Sequence, residues 1–379
     1  MSYTTSEHIN IIASTQFGLF YFPSFPVCTQ PKMSPTNRAA LYPSDKAPAL
    51  VVESTPYPTP SSNEVIVRVS AAAINPIDHK VQDLGASLLP ILKFPLVGGF
   101  DVAGTIVEVG SDVTDKYQLR EGDRVAGFAS EFASRAGAFQ NYVAIPADLV
   151  GKIPDGTSFV DAAVVPCGLA TAAVGLYHYL GLEHPSASGN PQAQGKTVLV
   201  TAGASSVGSN AIQLAVASGY EVFTTSSPRN FKHCTSLGAA KVFDYHSPSL
   251  ASDIISALQG KQLAGAISCQ EGSNDVVFEV VVASEGSKKV ACMVIFSQEG
   301  VPAGITAEMV HAYWIKGTPL AETIYRKFLP QALASGRYKC EPKPLVVGKG
   351  LESVQAAFDI SKTGSVSCQK LVVTLEGEA

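Results

Sequence analysis

Residues 197–208 read Thr-Val-Leu-Val-Thr-Ala-Gly-Ala-Ser-Ser-Val-Gly, an apolar strand that runs into a turn of small residues and then a helix. That order fits a parallel α/β sheet and builds a cradle for a dinucleotide. Gly203 is expected to allow the tight turn off the strand. Ala204, Ser205, Ser206 and Val207 bring backbone amides up to a pyrophosphate, and Gly208 lets the helix lie close to the sheet. The helix N-terminus adds partial positive charge. Ser205 stands where the usual G-x-G-x-x-G pattern has its middle glycine, so the surrounding chain must supply the rest of the argument.

Helical spacing continues through Ala211-Ile-Gln-Leu-Ala215 to Gly219, and Tyr220 to Thr225 reads as a second strand. In NAD-binding units an acidic residue ends this strand and bonds the ribose hydroxyls. Here the chain reads Ser226-Ser227-Pro228-Arg229-Asn230. Hydroxyls, a guanidinium and an amide suit a 2′-phosphate, which a carboxylate would repel, so NADPH is favoured over NADH. The alternative is a solvated loop that caps a helix starting near Phe231. Third, fourth and fifth strands are expected within 237–245, 263–268 and 289–295, giving a parallel, doubly wound sheet. Tyr245 then sits at a strand's carboxyl end, where ligands bind, although ordinary packing explains a tyrosine there as well.

At 379 residues and 46% apolar content the chain can bury a large core, and two domains are expected. A net charge of −5 with no Lys/Arg run argues against nucleic acid as a partner. No stretch reaches the ~18 to 20 continuous apolar residues of a membrane span. The seven scattered cysteines show no C-x-x-C pair, so neither a disulfide framework nor a cysteine-rich zinc site is indicated, and a reducing cytoplasmic setting fits. Residues 1–32 are apolar and aromatic without a steady period or basic leader, and Met33 precedes a more conventional start. They are expected to be an extension wrongly included upstream, the alternatives being a disordered or a docking arm.

From Ala39 the character changes. Asn63 to Ser70 alternates as a half-buried strand, and Val97 to Gly110, Gly122 to Ala126, Phe139 to Val143 and Leu149 to Pro154 extend a β-rich first domain. Ser158 to Leu180 reads as two helical stretches interrupted at Pro166-Cys-Gly168. Pro185 to Gly195 reads as a surface loop.

Ala73-Ile-Asn75-Pro-Ile77-Asp78-His79-Lys80, Gly99-Phe-Asp101-Val-Ala-Gly104, Gly122-Asp-Arg-Val125, Gly137-Ala-Phe139 and the 197–208 turn follow one another in the order found in medium-chain dehydrogenase/reductases. Over about residues 39 to 375 the chain resembles the zinc-independent, quinone-oxidoreductase-like branch, and especially fungal trans-acting enoyl reductases of polyketide assembly. The resemblance implies an α/β chain with a GroES-like β-rich domain, 33–165 with 331–379, and a Rossmann domain, 166–330. Zinc-dependent relatives carry a cysteine where this chain has Asn75 and a His-Glu pair where it has Phe100-Asp101, and the stretch from Gly104 to Tyr142 holds no cysteine. Asp78, His79 and Asp101 are ligands on paper only, because nothing replaces the lost thiolates, and no metal is expected.

Without a Lewis acid, reduction of a simple carbonyl loses its usual polarising group, whereas an activated C=C bond needs only donors for the enolate. The resemblance implies that chemistry. It places Ile77, Asp78, His79 and Lys80 near the nicotinamide, with Lys80 the catalytic candidate and a solvated surface lysine the alternative. It implies cofactor contacts from Ala204 to Val207, Ser227 to Asn230, Tyr245, Asp359 and Ile360. Thr171, Ala172, Ala173, Val174, Gly175, Leu176, Tyr177 and His178 become substrate contacts, a plain interdomain helix being the other reading. Water can serve as the proton donor. The expected substrate is an enoyl thioester presented by a polyketide synthase in trans. A stand-alone quinone or enone reductase and a non-catalytic NADPH-binding protein are the alternatives. In dimeric relatives the last strands of the cofactor domain pair across the interface, and the polar Ser297 to Pro302 breaks that region, which points to a monomer.

Overall fold

A computed structural model describes residues 35–375, so the expectation for residues 1–32 lies outside the described residues. Sixteen strands form three sheets, all within the compact unit that begins at Thr36. Strands β1 (Asn37–Tyr42), β2 (Val51–Thr55), β3 (Glu64–Ala73), β4 (Leu96–Val97), β5 (Asp101–Val109), β6 (Arg124–Phe128), β7 (Tyr142–Pro146) and β8 (Val150–Lys152) build the β-rich part. The first sheet orders β2-β1-β4. The larger one centres on β3, which pairs antiparallel with β5 and β7. Nine of the ten residues of β3 are buried, because the strand is covered on both faces.

Next come β9 (Lys196–Val200), β10 (Glu221–Ser226), β11 (Lys241–Asp244), β12 (Gln262–Ser268), β13 (Lys289–Cys292) and β14 (Thr306–Met309). They pair in parallel in the order β11-β10-β9-β12-β13-β14, the doubly wound order whose direction reverses between β9 and β12. The fifth strand stops at Cys292, short of Ile295, and the sixth, only four residues long, takes the edge. Strands β15 (Lys343–Lys349) and β16 (Gln369–Thr374) return the chain to the first part, where β16 pairs with β3.

The helical stretch from Phe159 breaks after Ala162, and Pro166 opens the next helix as its first residue instead of interrupting it. That helix, Pro166–Ala173, continues as a π-helical turn, Val174–Tyr179. The run Phe159–Tyr179 is apolar and long enough to cross a membrane by composition, but 72% of its most apolar window is buried inside the protein, as a core helix is.

Candidate functional site

A cavity of about 580 Å³ opens at the carboxyl ends of β9, β10 and β12, beside the reversal in strand order. Four segments supply most of its wall: the turn after β9, residues 225–230 at the end of β10, the loop Gln270 to Ser273 after β12, and residues 364–368, which arrive from the returning chain. The small side chains of the turn leave its backbone exposed to this space. Ala202, not Gly203, carries the positive φ of 51° that turns the chain. Gly203 is needed for room instead: a Cβ there would lie 2.3 Å from Thr224 Oγ1 and 3.1 Å from Cys234 Sγ. At Gly208 a Cβ would meet the Ala202 carbonyl oxygen at 2.2 Å, so helix and turn touch through backbone. Ser205 Oγ accepts from Gly208 N and caps the helix Ser206–Ala217.

Of the expected cofactor residues, Ala204, Ser205, Ser227, Arg229, Asn230 and Tyr245 lie on the cavity wall. Ser206, Val207 and Pro228 stand beside them without lining it. Arg229 is exposed and makes no side-chain hydrogen bond or ion pair among the described residues. Asn230 Nδ2 donates to Ser227 Oγ at 3.1 Å and to Ser367 Oγ at 3.0 Å, tying the parallel-sheet part to the returning segment. Ser226 lies at the wall with its Oγ buried beside Cys234.

The other expected positions are placed differently. Asp359 accepts from Gln355 within the helix Ser353–Lys362 and Ile360 packs on the core, and neither reaches the cavity; the five residues 364–368 do. Residues Ala172 to Tyr177 are buried in the packing of the central helix, Tyr177 spending its hydroxyl on Leu214 O and Ser218 Oγ. Thr171 is half-buried and donates to Cys167 O. His178 faces outward, edge-on to Trp314.

Of the expected residues on helix Pro76–Leu84, Ile77 packs on the core, Asp78 is buried, and Lys80 alone reaches the cavity wall. Lys80 Nζ reaches Glu271 Oε1 on the cavity wall at 2.7 Å, both side chains well exposed, so the pair bridges the two parts at little energetic cost to open. His79 is paired loosely with Asp83 at 3.7 Å, and burial pulls its pKa below the usual value. Asp78 is buried, takes the Asn75 amide on Oδ2 at 2.7 Å and leaves Oδ1 without a partner. Burial first, and then the neighbouring Asp101, push its carboxyl up to about 8. Beneath it lies a network that strand patterning does not reveal. The Lys370 ammonium, on β16, sits 2.7 Å from Asp101 Oδ2 and donates to Asn75 Oδ1 at 2.9 Å. Asp101 also accepts from Asn75 Nδ2 and from Cys167 N. Among the described residues, no three His, Cys, Asp or Glu side chains are grouped to hold a metal ion.

The profile of the alcohol dehydrogenase GroES-like domain matches residues 61–155. The dehydrogenase pigH of Monascus ruber is 42% identical over 373 residues, which cover 90% of this chain and all of that protein. The trans-enoyl reductase himH of Aspergillus japonicus is 38% identical over 347 residues, 89% of this chain and 97% of its own. The CurK enoyl reductase crystal structure shares the fold, with a TM-score of 0.69 at 23% identity over 89% of this chain and 99% of that one.

Proposed function

Because the chain belongs to the medium-chain dehydrogenase/reductase family of nicotinamide-dependent oxidoreductases, we propose that it reduces an activated C=C bond with NADPH, as a trans-acting enoyl reductase on polyketide-type acyl thioesters. The observation that carries this reading is the Asn75–Asp101–Lys370 network. Asn75 stands where zinc-dependent members keep a thiolate and Asp101 where they keep a glutamate, with Phe100 in place of the histidine, and the network's cation is a lysine already bonded to the carboxylate and the amide. Such a donor set does not suit zinc. A carbonyl bound here would therefore lack a metal to polarise it, whereas the β-carbon of an enoyl thioester is electrophilic without one.

Ala204 and Ser205 would hold the pyrophosphate, and Ser227, Arg229, Asn230 and Tyr245 the adenosine end with its 2′-phosphate. When bound, NADPH supplies the hydride. Lys80, once parted from Glu271, brings an ammonium to the enolate oxygen of the thioester. Water can serve as the proton donor. A polyketide synthase acting in trans would present the substrate to a monomeric, cytoplasmic enzyme. The test is NADPH oxidation with crotonyl and longer enoyl thioesters in parallel with a small quinone. Turnover of thioesters alone supports the reading; turnover of quinone alone moves the assignment to a quinone reductase.

A further inference from the structure

Lys370 is 4% exposed, and its three ammonium protons have three acceptors. Two, Asp101 Oδ2 and Asn75 Oδ1, belong to the β-rich part. The third, Ser206 Oγ at 3.2 Å, is the first residue of the helix that follows the phosphate turn, in the other part of the molecule. Two further contacts converge on the same point. Cys167 N, at the start of the central helix, donates to Asp101 Oδ1 at 2.6 Å. Gly168 lies so close to that hydroxyl that a Cβ would fall 2.5 Å from it. The turn itself, 202–208, contains neither lysine nor arginine, so Lys370 is the cation bonded to its helix.

We propose that Lys370 is a positioning residue for the cofactor: acting through Ser206, it fixes the start of the phosphate-turn helix against the β-rich part and so sets where the backbone amides of the turn meet the pyrophosphate. The charge is balanced by Asp101, so the cluster is a neutral, fully bonded clamp rather than an anion hole, and its effect reaches the ligand by way of the position of the turn. This inference rests on the reading of the cavity as a nicotinamide dinucleotide site.

The test is a cycle of variants with NADPH affinity and thermal midpoint read together. Lys370→Met combined with Asp101→Asn removes both charges, so that no lone charge is buried. This pair and Ser206→Ala are each expected to weaken NADPH binding by about tenfold. The triple variant is expected to be no weaker than the worse of the two, because Lys370 acts through Ser206. Losses that add in the triple variant, or wild-type affinity in either parent, overturn the proposal, and so does a loss that merely follows the thermal midpoint. Should the methionine pair fail to fold, Lys370→Gln with Asp101→Asn keeps an amide donor near Ser206 and completes the same cycle. There, affinity near wild type that falls on adding Ser206→Ala supports the proposal, and affinity already at the Ser206→Ala level overturns it. A wild-type chain that binds neither NADPH nor NADH instead overturns the cofactor-site reading, and this inference with it.

Discussion

At the scale of residues, Arg229 is the side chain whose role separates the two cofactors. It is exposed at the cavity and has no partner among the described residues. Arg229→Ala is expected to raise KM for NADPH by about tenfold or more, the worth of a charge-assisted hydrogen bond, and to leave KM for NADH within about threefold. Initial rates with both cofactors check this, and equal losses would contradict it. Lys80→Met is expected to lower kcat on thioesters by about a hundredfold, as loss of an oxyanion donor does. Its exposed ion pair contributes at most about 1 kcal/mol, so the thermal midpoint should hardly move. Asp78 gives a pH signature. Its native carboxyl keeps its proton to about 8, against 3.8 for an ordinary aspartate, so the folded state binds the extra proton between those values. That stability is fully present below about pH 4 and is lost as pH rises through 8. Asp78→Asn, which stays neutral, should show a smaller fall in melting temperature between pH 6 and 9 than the wild type, and parallel curves would contradict the assignment.

At the scale of elements, the phosphate turn was legible because backbone geometry admits few residue types there. Gly208 touches the Ala202 carbonyl through space no Cβ can share, and Gly208→Ala should destabilise the protein by about 1–3 kcal/mol, read as a lower thermal midpoint. Gly203 was singled out for the right position but the wrong cause, since the positive φ belongs to Ala202 and the glycine is needed against Thr224 and Cys234. The parallel sheet was legible as short apolar runs between helices, except β14, whose four residues Thr-Ala-Glu-Met are too few and too polar to stand out as a strand. Residues 364–368 were missed because a loop of Gly-Ser-Val-Ser-Cys signals a turn and nothing about what it faces. Lys370 was hidden for the opposite reason: in a strand of Gln-Lys-Leu-Val-Val-Thr, a lysine near the end reads as solvated, and only pairing across the fold shows it buried.

At the scale of the whole molecule, two parts meet across the cleft through Lys80 with Glu271, Asn230 with Ser367, and Lys370 with Ser206. The first of these is exposed and weak, the last buried, so the cleft is expected to open at the Lys80 end and to pivot near Lys370. The sheet edge bears on association. Gln298 donates to Ala307 O and Tyr179 to Thr306 O, so side chains of this same chain occupy carbonyls of β14. Size-exclusion chromatography with light scattering should give a monomer of about 40 kDa, and a stable dimer would contradict that reading. The central claim is hydride delivery to the β-carbon of an enoyl thioester. It is tested most directly by running the reaction with NADPH deuterated at nicotinamide C4 and locating the label in the product by mass spectrometry and NMR. A saturated thioester with one deuterium at its β-carbon is the predicted result, and deuterium on an oxygen-bearing carbon, or an enoyl thioester recovered unlabelled while NADPH is consumed by a quinone, would contradict it.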